Sequence, residues 1–225
     1  MLATIVNMVV IILGALIGIC FKKGIPEQMK NTIMQGMGLA VILIGLQMAM
    51  EAENVIIIII SLLLGGILGE WAKLDERLNN LGEMIKAKTH IEDNNFVDGF
   101  VNASLIFCIG AMAIIGSIEA GLNQDYDILF AKSTLDGIMA VVLASSLGIG
   151  VAFSSFAVFI YQGSLTLLAG VLQNVLTEAV IGCIASCGGL LIVGIGLSIA
   201  EIKKINTINL LPSIFIAAAL AWFII

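Results

Sequence analysis

Long apolar runs alternate with short polar stretches along the whole chain. Most runs hold about 16 to 25 residues, enough for a helix to cross a hydrocarbon core of about 30 Å. In the first run Gly14 and Gly18 stand at small-xxx-small spacing, which favours close contact with another helix. The runs that each predict one membrane-spanning helix lie at 2–21, 32–50, 55–71, 96–120, 178–200 and 210–225. The pattern predicts an all-α transmembrane bundle.

The central run, 134–172, is too long for a single crossing. In helical form it would extend roughly 58 Å at 1.5 Å per residue, about twice the hydrocarbon thickness. Its middle, the sequence SSLGIG at 145–150, supplies a weak point at which a helix breaks or turns. The run therefore predicts two short helices folded back on each other. With the other runs, this gives about eight spans.

One charged stretch, 72–97, interrupts the apolar pattern. Leucine or isoleucine recurs within it at helical spacing, at Leu74, Leu78, Leu81 and Ile85. This spacing predicts a short amphipathic helix that lies on the membrane or against the bundle. The stretch is too short to form a catalytic domain of its own. The chain is therefore predicted to be one transmembrane domain, 1–225, with 72–97 as a cytoplasmic amphipathic loop.

Two of the runs share a sequence pattern at a shift of 151 residues. The six identities place Gly38, Leu39, Ile44, Gly45, Leu46 and Ala49 on Gly189, Leu190, Ile195, Gly196, Leu197 and Ala200. They pair the second span with the seventh, so the two copies would cross the membrane in opposite directions. Inverted repeats of this kind recur in secondary transporters. We expect a first repeat at 1–71 and a second at 151–225, with central spans at 98–150.

The basic residues predict how the chain is oriented in the membrane. If the basic loop 22–30 is cytoplasmic, the N-terminus lies outside. Eight crossings then place nine of the ten basic residues in the cytoplasm, with only Lys132 outside, and the C-terminus also outside. A single crossing by 134–172 would put Lys203 and Lys204 outside. The charges therefore favour eight spans over seven.

Composition narrows the functional classes further. Hydrophobic residues make up 60% of the chain and charged residues 12%, whereas soluble domains are about half apolar and a quarter charged. No basic run indicates a nucleic-acid partner. The one histidine, His90, lies in a predicted loop, no phosphate-cradling glycine loop is present, and a single carboxylate lies deep in a span. The sequence predicts a protein of the lipid bilayer with no enzymatic activity and no cofactor.

The four cysteines lie within or at the edge of apolar runs and form no C-x-x-C pair. Cys183 and Cys187 stand one helical turn apart, a spacing compatible with a soft metal. Packing of small apolar side chains between helices is the favoured interpretation. No metal site is predicted.

Asp136 is the carboxylate that lies well within a long apolar stretch. An ionisable group at that depth costs several kcal/mol unless it is compensated, so it is a functional candidate. Ser133 and Asp136 also have the spacing of a capping box, which would place them at the outer start of the fifth span. Lys132, four residues before Asp136, is a candidate ion-pair partner. The sequence leaves a binding site and a helix cap both open.

The sixth span carries a polar face. Polar or small residues recur along it at helical spacing, at Ser155, Gln162, Thr166, Ala169 and Gln173. Amide side chains are costly in lipid, so this face is predicted to meet protein or water. Hydrogen bonds between helices and the lining of a polar pathway both fit, as does a local unwinding at Gln162-Gly163 that frees carbonyls for a cation. Asn7 in the first span and Asn102 in the fourth are further deep polar groups.

Four segments resemble the bacterial domain-of-unknown-function 554 family of integral membrane proteins. They are TIVN at 4–7, FCIGAMAIIGS at 107–117, KSTLDG at 132–137 and YQGSLT at 161–166. The likeness extends over essentially the whole chain. It implies a multi-span protein of the bacterial inner membrane, often described loosely as a transporter, and supplies no activity. Asn7, Asp136 and Gln162 match motif positions of the family, whereas the proline that it often has at the position of Ala111 is absent.

Three functions fit these predictions. The first is a transporter of a small polar solute or an ion, with a site between spans one, four, five and six. Asp136 would bind a cation or a proton, and the other polar side chains would hydrogen-bond to the solute. The candidate site residues are Asp136, Gln162, Thr166, Asn7, Asn102 and Ser133. The second function is a channel formed by a homo-oligomer, and the third is a scaffold that transports nothing.

Overall fold

The chain is built from helices. A computed structural model describes residues 1–22, 27–50, 54–89, 95–173 and 175–224. The helices are α1 (Leu2–Lys22), α2 (Glu27–Ala49), α3 (Val55–Trp71), α4 (Leu74–Thr89), α5 (Phe96–Cys108), α6 (Ala111–Leu122), α7 (Asp127–Leu147), α8 (Gly150–Leu167), α9 (Ala169–Leu172), α10 (Glu178–Ile199) and α11 (Pro212–Ile224). The described residues contain no strand, which confirms the predicted all-α class.

The apolar runs predicted to span the membrane coincide with helices. Five of these, α1, α2, α7, α8 and α10, are long and apolar enough to cross individually. The bent pairs α3–α4 and α5–α6 each qualify as one span, so the described residues hold five to seven candidate spans by length and composition. α11 is a shorter apolar helix. The number eight stays a prediction.

The central run folds back as predicted. α7 ends at Leu147, and α8 begins at Gly150. Between them Gly148 has φ +79°, a left-handed conformation that glycine adopts without the steric cost of a side chain. α7 starts earlier than the sequence suggests, because the Asp125 carboxylate accepts a hydrogen bond of 3.0 Å from the backbone N–H of Asp127. Only residues 123–126 connect α6 to α7.

The fourth predicted span is broken. α5 ends at Cys108 and α6 begins at Ala111, with a bend of 62° between them. The bend occurs without the proline that the resemblance associates with this position. Glycine costs a helix about 1 kcal/mol relative to alanine, so Gly110 is the weak point of an otherwise apolar run. The run 96–120 therefore forms two helices, and its crossing as one span stays a prediction.

The chain divides into two units. Unit 1 comprises Met1–Ile33, Asn79–Cys108 and Met112–Leu172, and unit 2 comprises Met34–Leu78, Ile109–Ala111 and Gln173–Ile225. In unit 1, α1 packs along α7 in parallel, with Gly14 against Gly137 and Gly18 against the carbonyl of Val141. The small-xxx-small spacing thus gives the close helix contact that it predicts. α8 follows α7 after a tight turn and lies antiparallel to α1.

In unit 2, α2 and α10 cross through glycines that contact each other reciprocally. A Cβ added to Gly38 would lie 2.7 Å from the carbonyl oxygen of Gly196, and one added to Gly196 would lie 2.8 Å from that of Gly38. Gly45 and Gly189 are related in the same way, at 2.6 Å in each direction. The two helices run antiparallel, and no side chain fits between them at either pair.

A polar clamp in unit 2 joins the end of α3 to the residues before α11. The Asn209 amide donates to the Glu70 carboxylate at 2.6 Å, and its carbonyl accepts from the backbone N–H of Asp75 at 2.8 Å. Gly69 lies directly against the Asn209 backbone. Both ends of this clamp therefore lie at the same end of the α3–α11 helix pair.

Candidate functional site

Three of the sequence-predicted site residues meet in the interior of unit 1. Asn7 of α1 donates from Nδ2 to Asp136 Oδ2 of α7 at 2.9 Å and to Gln162 Oε1 of α8 at 3.2 Å. Asn7 and Gln162 are 0% exposed, and Asp136 is 8% exposed. We refer to Asn7, Asp136 and Gln162 as the first layer. Residues far apart in sequence thus form one continuous hydrogen-bonded chain across three helices.

The carboxylate determines how both amides are oriented. An ionised carboxylate only accepts hydrogen bonds, so the atom of Asn7 that faces Asp136 must be the amide nitrogen. That nitrogen also contacts Gln162, which must therefore present its carbonyl oxygen. As a result Asn7 Oδ1 and Gln162 Nε2 both point away from the chain of bonds. The first layer therefore offers one unused acceptor, the side-chain oxygen of Asn7, and one unused NH2 group, that of Gln162.

Lys132 is the charged partner of Asp136 within α7. Its ammonium forms an ion pair with the Asp136 carboxylate, and Lys132 is 6% exposed. The two residues are four apart in α7 and so share one helix face. A lysine expected outside the membrane is therefore a buried member of the site. The i, i+4 spacing was the available signal for it.

Asp136 is not a helix cap. α7 begins at Asp127, so Asp136 lies in its third turn, well beyond the positions whose N–H groups need capping. Ser133 likewise lies within the helix, and its hydroxyl donates to the carbonyl of Leu129 at 2.7 Å. The capping-box interpretation is wrong because acidic residues further upstream start the helix.

Each of the three helices carries a second polar residue one turn from the first layer, namely Thr4, Lys132 and Thr166. Residues three or four apart lie on the same side of a helix. Because α8 runs opposite to α1 and α7, all three are displaced in the same direction, toward the end at which α1 begins. We refer to Thr4, Lys132 and Thr166 as the second layer.

Several buried atoms of the two layers lack a hydrogen-bond partner within the described part of the chain. In the first layer they are Asn7 Oδ1 and Gln162 Nε2, and in the second layer the hydroxyls of Thr4 and Thr166. Leaving such a group unsatisfied costs about 1–3 kcal/mol. A polar solute placed between the layers would remove that cost.

The end of α5 and part of α6 border this cluster within unit 1. Cys108, the last residue of α5, lies near Lys132 and Asp136. Ser117 of α6 is fully buried, and its hydroxyl has no partner among the described residues. It lies one turn before Gly121, which packs against the Thr166 carbonyl. Ser117 was not among the predicted site residues, because an isolated serine in an apolar run is common.

Two further sequence predictions concern an unwinding of α8 and the position of Asn102. α8 is continuous from Gly150 to Leu167, so the proposed unwinding at Gln162-Gly163 is wrong. Asn102 lies on α5 and is half-buried, and no hydrogen bond between described residues joins it to the first layer.

In unit 2 the Cys187 thiol lies 3.1 Å from the Ser213 hydroxyl, a contact between α10 and α11.

Apolar helices that enclose a buried, ion-paired polar cluster define a polytopic α-helical membrane protein. The chain belongs to the family described as "Protein of unknown function (DUF554)", whose model matches residues 2–222, and this confirms the resemblance drawn from the sequence. It is 40% identical over 220 residues to "Uncharacterized membrane protein YdfK" of Bacillus subtilis (strain 168), covering 96% of this chain and 93% of that protein. It is 30% identical over 230 residues to "Uncharacterized protein YqgA" of Escherichia coli (strain K12), covering 97% of each. No solved structure matches the chain.

Proposed function

We propose that the protein is a carrier for a small polar solute or an ion, and that the solute binds at the two polar layers of unit 1. The observation that carries the proposal is the pair of fully buried amide atoms, Asn7 Oδ1 and Gln162 Nε2, without partners in the described residues. They lie beside an ion pair in the buried interior between apolar helices. We propose no catalytic step.

A scaffold would use these side chains differently. Polar residues that only hold helices together satisfy one another, and each such hydrogen bond contributes about 0.6–2 kcal/mol. Here Asn7 uses its nitrogen twice and its oxygen not at all, while Gln162 uses only its oxygen. The polar groups are thus placed to contact a further molecule.

The reciprocal glycine contacts support an inverted repeat. The shift of 151 residues maps Gly38 on Gly189 and Gly45 on Gly196. A two-fold rotation that relates the repeats would place Gly38 on Gly189 and Gly196 on Gly45. It would therefore turn the Gly38–Gly196 contact into the Gly189–Gly45 contact, and both contacts are present. We propose that rocking of the two repeats gives alternating access, as in other transporters with inverted repeats.

We place the protein in the bacterial inner membrane with both termini outside and the basic loops in the cytoplasm. The burial of Lys132 supports this orientation. A lysine paired inside a helix bundle is not a loop charge, so the single exception to the positive-inside count no longer opposes it.

The proposal is tested by solute flux into proteoliposomes that contain the purified protein. We expect uptake above that of protein-free liposomes for at least one small metabolite or ion, and loss of most of that uptake in Asp136→Asn and Gln162→Leu. Ser164→Ala, an exposed position on α8, is the matched control and should retain uptake. Flux that increases linearly without saturation would indicate a channel. Complete absence of flux would support the scaffold instead.

A further inference from the structure

We infer, on the basis of the proposed function, that the site takes a solute of zero net charge that carries both hydrogen-bond donors and acceptors. The juxtaposition that leads to this inference is a neutralised ion pair, Lys132–Asp136, beside two half-used amides, Asn7 and Gln162. The sequence led us to expect that Asp136 binds a cation or a proton. The ion pair favours a neutral polar solute instead.

The net charge of the site favours a neutral solute. Lys132 and Asp136 are both nearly fully buried and pair with each other, so their charges sum to zero. α1 and α8 contribute only amides and hydroxyls to the two layers. A bare ion entering this site would leave one uncompensated charge in a low-dielectric interior, which costs several kcal/mol. A neutral solute does not incur that cost.

The contacts of Asp136 oppose its use as a cation ligand. One of its oxygens already faces the Lys132 ammonium and the Asn7 amide. A cation would have to compete with the Lys132 ammonium for that carboxylate. An anion would have to compete with Asp136 for the same ammonium. The pair therefore opposes ions of both signs.

The unused hydrogen-bonding groups favour a solute with both donors and acceptors. Asn7 Oδ1 is an acceptor, and Gln162 Nε2 carries two N–H donors. The two amides are joined by a hydrogen bond of 3.2 Å, so their unused ends lie within reach of one small molecule. The hydroxyls of Thr4 and Thr166, one turn away, both donate and accept. Amides, carbamides, polyols and zwitterions present complementary groups at this spacing.

The experiment measures osmotic volume changes of proteoliposomes by light scattering. The probes are urea, acetamide, glycerol and glycine, compared with KCl and NaCl in the presence of an ionophore that removes the membrane potential. For at least one neutral probe we expect permeability at least about tenfold above that of protein-free liposomes, a difference of about 1.4 kcal/mol. For the two salts we expect no increase.

Charge balance is tested by three variants and one control. K132Q and D136N each leave one buried charge unpaired. We therefore expect the permeability for neutral solutes to fall at least about tenfold in each variant. The double variant K132Q/D136N restores zero net charge with side chains of nearly the same size, and we expect it to recover most of that loss. E76Q, which removes an exposed ion pair with Lys73, should behave as the unaltered chain.

The outcomes separate the two proposals. Flux of salts alone overturns the solute class and leaves the carrier function standing. Flux of no probe, neutral or charged, removes the carrier function itself. If the single variants do not fold, the double variant still decides, because a double variant that folds and has lost the neutral flux contradicts the role of charge balance.

Discussion

Asn7 determines the polarity of the whole cluster. It is the only residue of the first layer that bonds to both of the others, and it is fully buried. Removing it leaves the Asp136 carboxylate with one partner fewer and orphans the Gln162 carbonyl. Gln162, in contrast, contributes a single bond to Asn7. The two amides are therefore unequal in their contribution to stability.

We predict that Asn7→Leu lowers the free energy of unfolding by about 2–4 kcal/mol and Gln162→Leu by about 1–2 kcal/mol. The larger value reflects two lost hydrogen bonds, one of them to a charged group. Thermal unfolding of the purified protein in detergent, followed by tryptophan fluorescence, measures both. Ser164→Ala serves as the control and should change stability by less than about 0.5 kcal/mol. Equal losses in the two variants would contradict the central position of Asn7.

The sequence predicted the first layer because amides and a carboxylate at membrane depth are costly and therefore conspicuous. It placed Lys132 outside, because the apolar run was taken to begin after it. In the structure Lys132 and Asp136 form an ion pair, so that their charges neutralise each other. The sequence analysis had assigned them to different environments. Thr4 and Ser117 were missed, since hydroxyls in apolar helices often bond to their own backbone and give no distinctive signal.

At the scale of elements, glycines decide which helices approach closely. The α2–α10 crossing depends on Gly38, Gly45, Gly189 and Gly196, and each lies against backbone atoms of the partner helix. Backbone cannot move aside as a flexible side chain can. By comparison, Gly36 on the same helix has no neighbouring atom within 4 Å of an added Cβ. Position on the helix, and not residue type, therefore determines the cost of a substitution.

We predict that Gly45→Val and Gly189→Val each lower the free energy of unfolding by about 3 kcal/mol or more, because the two helices must separate. Gly36→Ala should change it by no more than about 1 kcal/mol. Chemical denaturation in mixed micelles, with helix content as the readout, measures all three. Because alanine favours a helix more than glycine does, a Gly36→Ala loss as large as that of Gly45→Val would contradict the helix crossing as the source of the cost.

The turn between α7 and α8 gives a second prediction at this scale. Gly148 has φ +79°, which costs a residue with a side chain about 1–3 kcal/mol. We expect Gly148→Val to lower the free energy of unfolding by that amount and to reduce expression. Gly170→Val is the matched comparison, because no atom lies within 4 Å of a Cβ added there and its φ is not positive, and it should change stability by no more than about 1 kcal/mol. A neutral Gly148→Val would contradict the strained turn.

The sequence predicted this turn because its residues weaken a helix and because the run is too long to cross once. It did not predict the bend between α5 and α6. The residues on both sides of Gly110 are apolar, no proline is present, and a continuous helix satisfies every local preference. Such a break is decided by tertiary packing, which a single sequence does not display.

At the scale of the whole chain, helix directions bear on the number of crossings. In unit 1, α1 and α7 run parallel, as they must if an even number of crossings separates their first residues. In unit 2, the Asn209 clamp joins the end of α3 to the start of α11, which also requires an even number between them. If α7 and α8 formed one span, the number of crossings between the end of α3 and the start of α11 would be odd.

The last prediction is that the C-terminus lies outside the cell and Lys73 inside. The full-length chain is fused at its C-terminus to alkaline phosphatase, which is active only outside, or to green fluorescent protein, which folds only inside. We expect an active phosphatase and a dark fluorescent fusion. Lys73→Cys, with the four native cysteines replaced by alanine, should react with a membrane-impermeant maleimide in inside-out vesicles and not in intact cells. With Lys73 inside, a fluorescent C-terminal fusion would mean an even number of crossings after the α3–α4 bend, whereas the Asn209 clamp gives an odd number once α11 is counted.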